Sequence, residues 1–184
     1  TLGALSVMGF EERKKAFEPL LPDCNPIRFN REEDLVKITE NTAAILLETI
    51  QGGAGFILPQ NDYLKKVKNR CDEVGALLIL DEIQPGFGRT GKLFGFEHFD
   101  VTPDILVMGK GMGGGLPIGA FTASNKLMSQ LNHMPALGHI TTFGGNAPIA
   151  AAALATLKEL TESQLIPQTL RKEELFRNLL KHSL

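Results

Sequence analysis

An acid and an amine each stand at the end of an apolar run. Ala76-Leu77-Leu78-Ile79-Leu80 leads into Asp81, and Ile105-Leu106-Val107-Met108-Gly109 leads into Lys110. Runs this apolar suit strands buried on both faces of a parallel sheet. Ligands of such sheets sit at the carboxyl ends of the strands. A carboxylate and a primary amine delivered to one edge suit pyridoxal phosphate, which uses a lysine on its aldehyde and an acid on its pyridine nitrogen. The carboxylate keeps that nitrogen protonated; at about 4 Å the attraction is ~1 kcal/mol in water and ~4 kcal/mol at an effective dielectric of 20.

Each residue has a plainer reading. Asp81 alone reads as a strand-end acid capping a turn, and Lys110 alone as a solvated surface lysine. The pairing favours chemistry, as do Gly109 and Gly111, which leave room for a ligand beside the backbone. Gln84 is placed to hydrogen-bond a ring oxygen, or is a loop glutamine in water. Ile83 either backs a ring face or belongs to the core, with equal weight. Thr142 precedes a helix start, where a hydroxyl and backbone N–H groups hold an anion; its plainer role is a cap. Gly86 to Lys92 matches the G-x4-G-K of a phosphate loop, but Leu93 stands where a hydroxyl must hold magnesium, and Phe94-Gly95-Phe96 opens no helix. That argues against nucleotide binding. Gly111 to Gly115 is likewise no dinucleotide fingerprint.

The elements that must position these residues alternate between strand and helix. Residues 42–49 predict a short strand. Leu64, Val67, Cys71 and Val74 follow helical spacing, with Asp62 as the expected cap and Gly75 as the stop. Strands over 76–81, 104–108 and 118–123 follow. Asn30 before Glu32, Glu33 and Asp34 predicts a capped helix with Leu35 and Ile38 inward. Residues 85–103 predict a long, turn-rich loop of the kind that is often functional, and 109–115 a flexible one. Pro148 opens a helix to about Leu160, and 165–180 predicts a charged amphipathic helix at an edge.

The chain of 184 residues suffices for one domain with a real core. A net charge of -2 gives no electrostatic footprint for nucleic acid. No run approaches membrane-spanning length and no secretory signal is visible. Cys24 and Cys71 form no CxxC and read as free thiols, which fits a reducing cytoplasm. The histidines (His98, His133, His139, His182) stand singly, so no metal site is expected. The start, Thr1-Leu2-Gly3, lacks Met and suggests part of a longer chain.

Five segments, taken in order, resemble the class III (ω-amino acid) aminotransferases of fold type I, whose acetylornithine, ornithine and 4-aminobutyrate members are the nearest kinds. They are Thr1-Leu2-Gly3-Ala4, Leu47-Glu48-Thr49-Ile50-Gln51-Gly52, Leu80-Asp81-Glu82-Ile83-Gln84 with Gly88-Arg89-Thr90-Gly91, Pro103-Asp104-Ile105 with Gly109-Lys110 and Gly113 to Ala120, and Thr142-Phe143-Gly144-Gly145-Asn146. The resemblance implies an α/β fold: the large domain of a fold-type I transferase, a mainly parallel sheet flanked by helices, here incomplete, with residues 1–184 all part of it. It implies pyridoxal 5'-phosphate, with Lys110 as the Schiff-base lysine, Asp81 on the pyridine nitrogen, Gln84 on the ring oxygen and Ile83 behind the ring. It implies a homodimer in which Thr142 binds cofactor phosphate in the neighbouring subunit's site.

The implied reaction belongs to cytoplasmic amino-acid metabolism. An amino group moves from an amino acid or ω-amine to a 2-oxo acid, with no nucleic acid or membrane as partner. Gly53 stands where ornithine-type members carry a glutamate that gates an arginine. That leaves the donor open and keeps an aminomutase or racemase as an alternative. A non-catalytic α/β binding module is the further alternative. Thr49 replaces the family's proline, with a local backbone effect expected. The phosphate-binding helix start and ring-stacking aromatic are expected before Thr1, and the carboxylate-binding arginine and small domain after Leu184, so the chain alone is expected to form a crippled site.

Overall fold

The computed structural model describes residues 2–133, 136 and 138–181. His182 therefore lies outside the described residues. Ala44–Glu48 forms β1, Leu77–Asp81 β2, Ile105–Gly109 β3 and Gly119–Ala123 β4. They make one four-stranded sheet in the order β1-β2-β3-β4. The first three strands are parallel, and β4 runs antiparallel to β3. The sheet is mixed and mainly parallel, as expected. Its register sets Glu48 opposite Asp81 and Asp81 opposite Val107, so β1, β2 and β3 end at one edge.

The helices are α1 (Leu2–Val7), α2 (Glu11–Lys14), α3 (Tyr63–Val74), α4 (Asn125–Met128), α5 (Ala147–Glu162) and α6 (Pro167–Leu180). Helix α3 is the crossover between β1 and β2. Its Leu64, Val67 and Cys71 are buried with Leu78 and Leu80 of β2 in one cluster that also takes Ile38, Leu47, Tyr63 and Val101. Burying each of these large aliphatic side chains contributes roughly 1.5–3 kcal/mol. Gly75 ends the helix at φ 78, with its N–H bonded to the carbonyl of Cys71. The cap differs from expectation: Asp62 is itself left-handed and makes no side-chain cap bond.

The expected helix after Asn30 is a single 3-10 stretch, Glu32–Lys37. Asn30 does not cap it, because its side chain is spent elsewhere: its amide donates to the Leu58 carbonyl (2.8 Å) and its oxygen accepts from Gln60 N–H (3.0 Å). Asp34 fixes the segment instead, accepting from Arg28 Nε (3.0 Å), Nη2 (2.8 Å) and backbone N–H (2.8 Å). Ile38 is buried and Leu35 packs on the core, as the pattern requires.

Residues 85–103 form turns with one 3-10 stretch, Gly95–His98. Phe94 stacks on Phe96 at 5.7 Å and meets the edge of Phe87 at 5.5 Å, which gives this loop its own apolar support. Helix α5 starts one residue before Pro148, capped by Asn146, whose side chain accepts from Ile149 N–H (3.3 Å). Helix α6 contributes no buried residue. Among the described residues, no helix is long and apolar enough to cross a membrane.

Candidate active site

The chain turns off β2 at Asp81, whose Oδ1 accepts the Ile83 N–H at 2.8 Å. Among the described residues Oδ2 accepts no hydrogen bond, so one carboxylate oxygen is free for a ligand. Ile83 lies against Gly109: a Cβ added there would sit 3.5 Å from Ile83 Cγ1 and 3.2 Å from the Ile118 carbonyl oxygen. The Gln84 side chain folds over Gly52, where an added Cβ would meet it at 2.5 Å. Gln84 Oε1 accepts from Lys110 Nζ at 2.9 Å. Adjacent strand ends thus gather Asp81, Ile83, Gln84 and Lys110.

Lys110 sits on the turn that leaves β3, at φ 41. Left-handed backbone at a residue other than glycine costs about 1–2 kcal/mol and clusters at functional positions. The segment expected to be flexible is a 3-10 turn, Lys110–Gly113, closed by Gly114 at φ 58. Helix α5 holds it: a Cβ on Gly114 would collide with the Thr156 hydroxyl. Lys110 is exposed within this chain.

Thr142 is exposed in the turn before α5. The cap role belongs to Asn146, and among the described residues no hydrogen bond joins Thr142 to the Asp81–Lys110 group. The loop that mimics a phosphate cradle is filled: Cβ atoms on Gly88 and Gly91 would come 2.9 Å from Ile166 and 3.0 Å from Leu170. Their N–H groups are also taken, Gly88 donating to the Leu93 carbonyl and Gly91 to the Gly88 carbonyl, each at 3.2 Å, and so are not turned to an anion.

Two further acids stand at the same strand ends, and motif reading passed over both. Glu48 is opposite Asp81 in the register. It accepts the Gly52 N–H at 2.9 Å. Glu82 is buried and accepts from the Thr49 hydroxyl at 2.6 Å. Burial pushes the Glu82 carboxyl up, against hydrogen bonds from Thr49, Gly95 and Phe96 that pull it down. Thr49 therefore does more than adjust the backbone, contrary to expectation: its hydroxyl is the side-chain partner of a buried acid. The register could have revealed this, since Glu48 opposite Asp81 sets Thr49 beside Glu82. At Gly53 an added Cβ would meet nothing within 4 Å, so crowding does not impose that glycine.

The aminotransferase class-III family matches residues 1–184. The chain belongs to that family. It is 47% identical to a putrescine aminotransferase of Pectobacterium atrosepticum, over 91% of this chain and 37% of that one. An ornithine aminotransferase of Toxoplasma gondii, described with partial occupancy of PLP at its active site, superposes with a TM-score of 0.91 at 34% identity, covering 100% of this chain and 43% of that one. An acetylornithine aminotransferase of Elizabethkingia anophelis gives a TM-score of 0.74 at 36% identity, over 85% of this chain and 39% of that one. The chain thus spans between 37% and 43% of the lengths of these relatives. The fold is that of the fold-type I aminotransferases.

The donor set fits pyridoxal phosphate, the cofactor of this family. A free carboxylate oxygen on Asp81 suits a protonated ring nitrogen. The Gln84 amide suits a phenolic oxygen, Ile83 offers an apolar face, and the Lys110 amine suits an aldehyde.

Proposed function

We infer that this chain is part of a pyridoxal-phosphate-dependent aminotransferase that moves an amino group from an amino acid or ω-amine to a 2-oxo acid. The observation that carries the reading is the Lys110–Gln84 hydrogen bond of 2.9 Å beside the strand end of Asp81. When bound, the cofactor supplies an electron sink for charge developing on the substrate's α-carbon. Asp81 would hold the proton on the ring nitrogen and so keep that sink effective. Lys110 would hold the cofactor through Nζ, and its amine would serve as the base that moves a proton at the substrate carbon bearing the amino group. Gln84 receives Lys110 and would donate its amide to the phenolic oxygen, and Ile83 would keep water from one ring face.

The putrescine and ornithine aminotransferases among the relatives favour an ω-amine donor. Thr142, apart from the group in this chain, fits a role at the neighbouring subunit's cofactor phosphate in a homodimer. Residues 1–184 then form part of the large, cofactor-binding domain of a cytoplasmic enzyme.

The test is borohydride reduction with pyridoxal phosphate, followed by peptide mass spectrometry of the full-length enzyme. A pyridoxyl group on Lys110, and amino transfer from a diamine that requires a 2-oxo acid, is the expected result. Turnover without a 2-oxo acid would turn the assignment to a mutase or racemase. An unmodified Lys110 would end the catalytic reading.

A further inference from the structure

We propose that Thr49 and Glu82 form a positioning pair that sets Asp81 from the opposite face of β2. The proposal rests on the pyridoxal-phosphate reading above. Successive side chains leave a strand on opposite faces. Asp81 faces the site, and Glu82 turns away from it to 0% exposure. There Glu82 Oε1 accepts from Thr49 Oγ1 (2.6 Å) and Phe96 N–H (2.8 Å), and Oε2 accepts from Gly95 N–H (2.9 Å). Its own N–H donates to the Val107 carbonyl at 2.9 Å, and its carbonyl accepts from Gly86 N–H at 3.0 Å. One residue therefore ties together the ends of β1 and β2, the middle of β3 and both limbs of the 85–96 loop.

A buried carboxylate without a cationic partner is costly unless its hydrogen bonds are complete and fixed. Among the described residues no ion pair reaches Glu82, so these donors must hold their places. Thr49 is the side-chain donor of the set. Asp81 shares a peptide bond with Glu82, and a displacement of about 1 Å at a reacting group can cost on the order of a hundredfold in rate. Glu82 touches neither substrate nor cofactor; its effect passes through Asp81.

The experiment compares the wild-type full-length enzyme with Thr49→Val, Thr49→Ser, Glu82→Gln and Asp81→Asn. Each is loaded with pyridoxal phosphate labelled at the ring nitrogen and read by nitrogen NMR, with cofactor Kd and melting temperature alongside. Thr49→Val removes the hydroxyl at nearly equal volume. Glu82→Gln sets an amide donor against a backbone donor. Both should move the ring-nitrogen resonance toward the unprotonated position and weaken cofactor binding ~tenfold, about 1.4 kcal/mol lost at the displaced Asp81 contact. Thr49→Ser should restore the wild-type signal. If Thr49→Val folds, melts lower and keeps the wild-type resonance and Kd, the pair is only structural and the proposal fails, whether or not Glu82→Gln folds. If Asp81→Asn also leaves the resonance unmoved, or the wild type takes up no cofactor, the functional reading itself falls.

Discussion

Ile38, Leu64, Val67, Leu78 and Leu80 are each at most 1% exposed, whereas Leu170, Leu175, Phe176 and Leu179 of α6 are between 56% and 65% exposed. The first group underlies the strand ends that carry Asp81 and Gln84. The second belongs to the limb that follows Thr142. In the first region burial within the chain decides the structure, and local signals only assist. In the second, local signals do most of the work: Asn146 caps α5, prolines open both helices, and a few contacts tie α6 to the glycine-rich loop. Asp81 and Gln84 thus stand on packing within the chain, while Thr142 leads into a limb that buries little of its own apolar surface.

The sharpest way to break this contrast is a matched pair of truncations. Leu64→Ala empties a packed site and should cost about 2–5 kcal/mol. Leu175→Ala removes an exposed side chain and should stay within about 0.5 kcal/mol. Denaturant unfolding of both variants measures the difference. A Leu175→Ala cost close to that of Leu64→Ala would mean that α6 is covered in the folded protein, and the contrast would belong to the isolated chain only.

The junction between the two regions is the next test. Gly114 combines φ 58 with an α5 side chain where its Cβ would stand. Gly114→Ala should therefore cost about 2 kcal/mol, part backbone strain and part overpacking. Adding Thr156→Ala should relieve the collision and leave about 1 kcal/mol from the backbone. Full recovery in the double variant would show that the left-handed conformation is not required. No loss in the single variant would show that α5 does not clasp the lysine turn.

Legibility follows the same division. The strands, the inward face of α3 and the stop at Gly75 could be read because hydrophobic period and glycine chemistry coincide with burial. Asp81, Ile83, Gln84 and Lys110 could be gathered because strand ends of a parallel sheet share an edge. The failures were polar. Asn30 and Asp62 looked like caps, yet the sequence does not say that Asn30 is claimed by Leu58 and Gln60 across the fold. Glu82 carries no signal of its own, since an acid beside an acid at a strand end reads as solvated until the strand register sets Thr49 beside it and the 85–96 loop closes over it. Thr142 remained apart, because nothing in the run Thr141 to Asn146 specifies what it faces.

The smallest expected effect opposes two acids of the well-packed region. The Arg28 guanidinium and backbone N–H beside Asp34 hold its carboxyl far below the usual carboxylate range. A depressed acid contributes stability that is complete above its unfolded value and is lost as pH falls through that value toward the folded one. Glu82 is displaced upward by burial. Its contribution is present below the unfolded glutamate value and declines as pH rises through the folded one. The stability advantage of wild type over Asp34→Asn should therefore shrink as pH falls from about 5 to about 3. Over the range above the usual glutamate value, wild type should instead lose ground to Glu82→Gln as pH rises. Melting temperatures of the three proteins across these ranges read both slopes. Equal signs for the two acids would show that Glu82 is not isolated from water and that the loop over it opens. A pH-independent difference for Asp34→Asn would place the Arg28 contact outside the cooperative core.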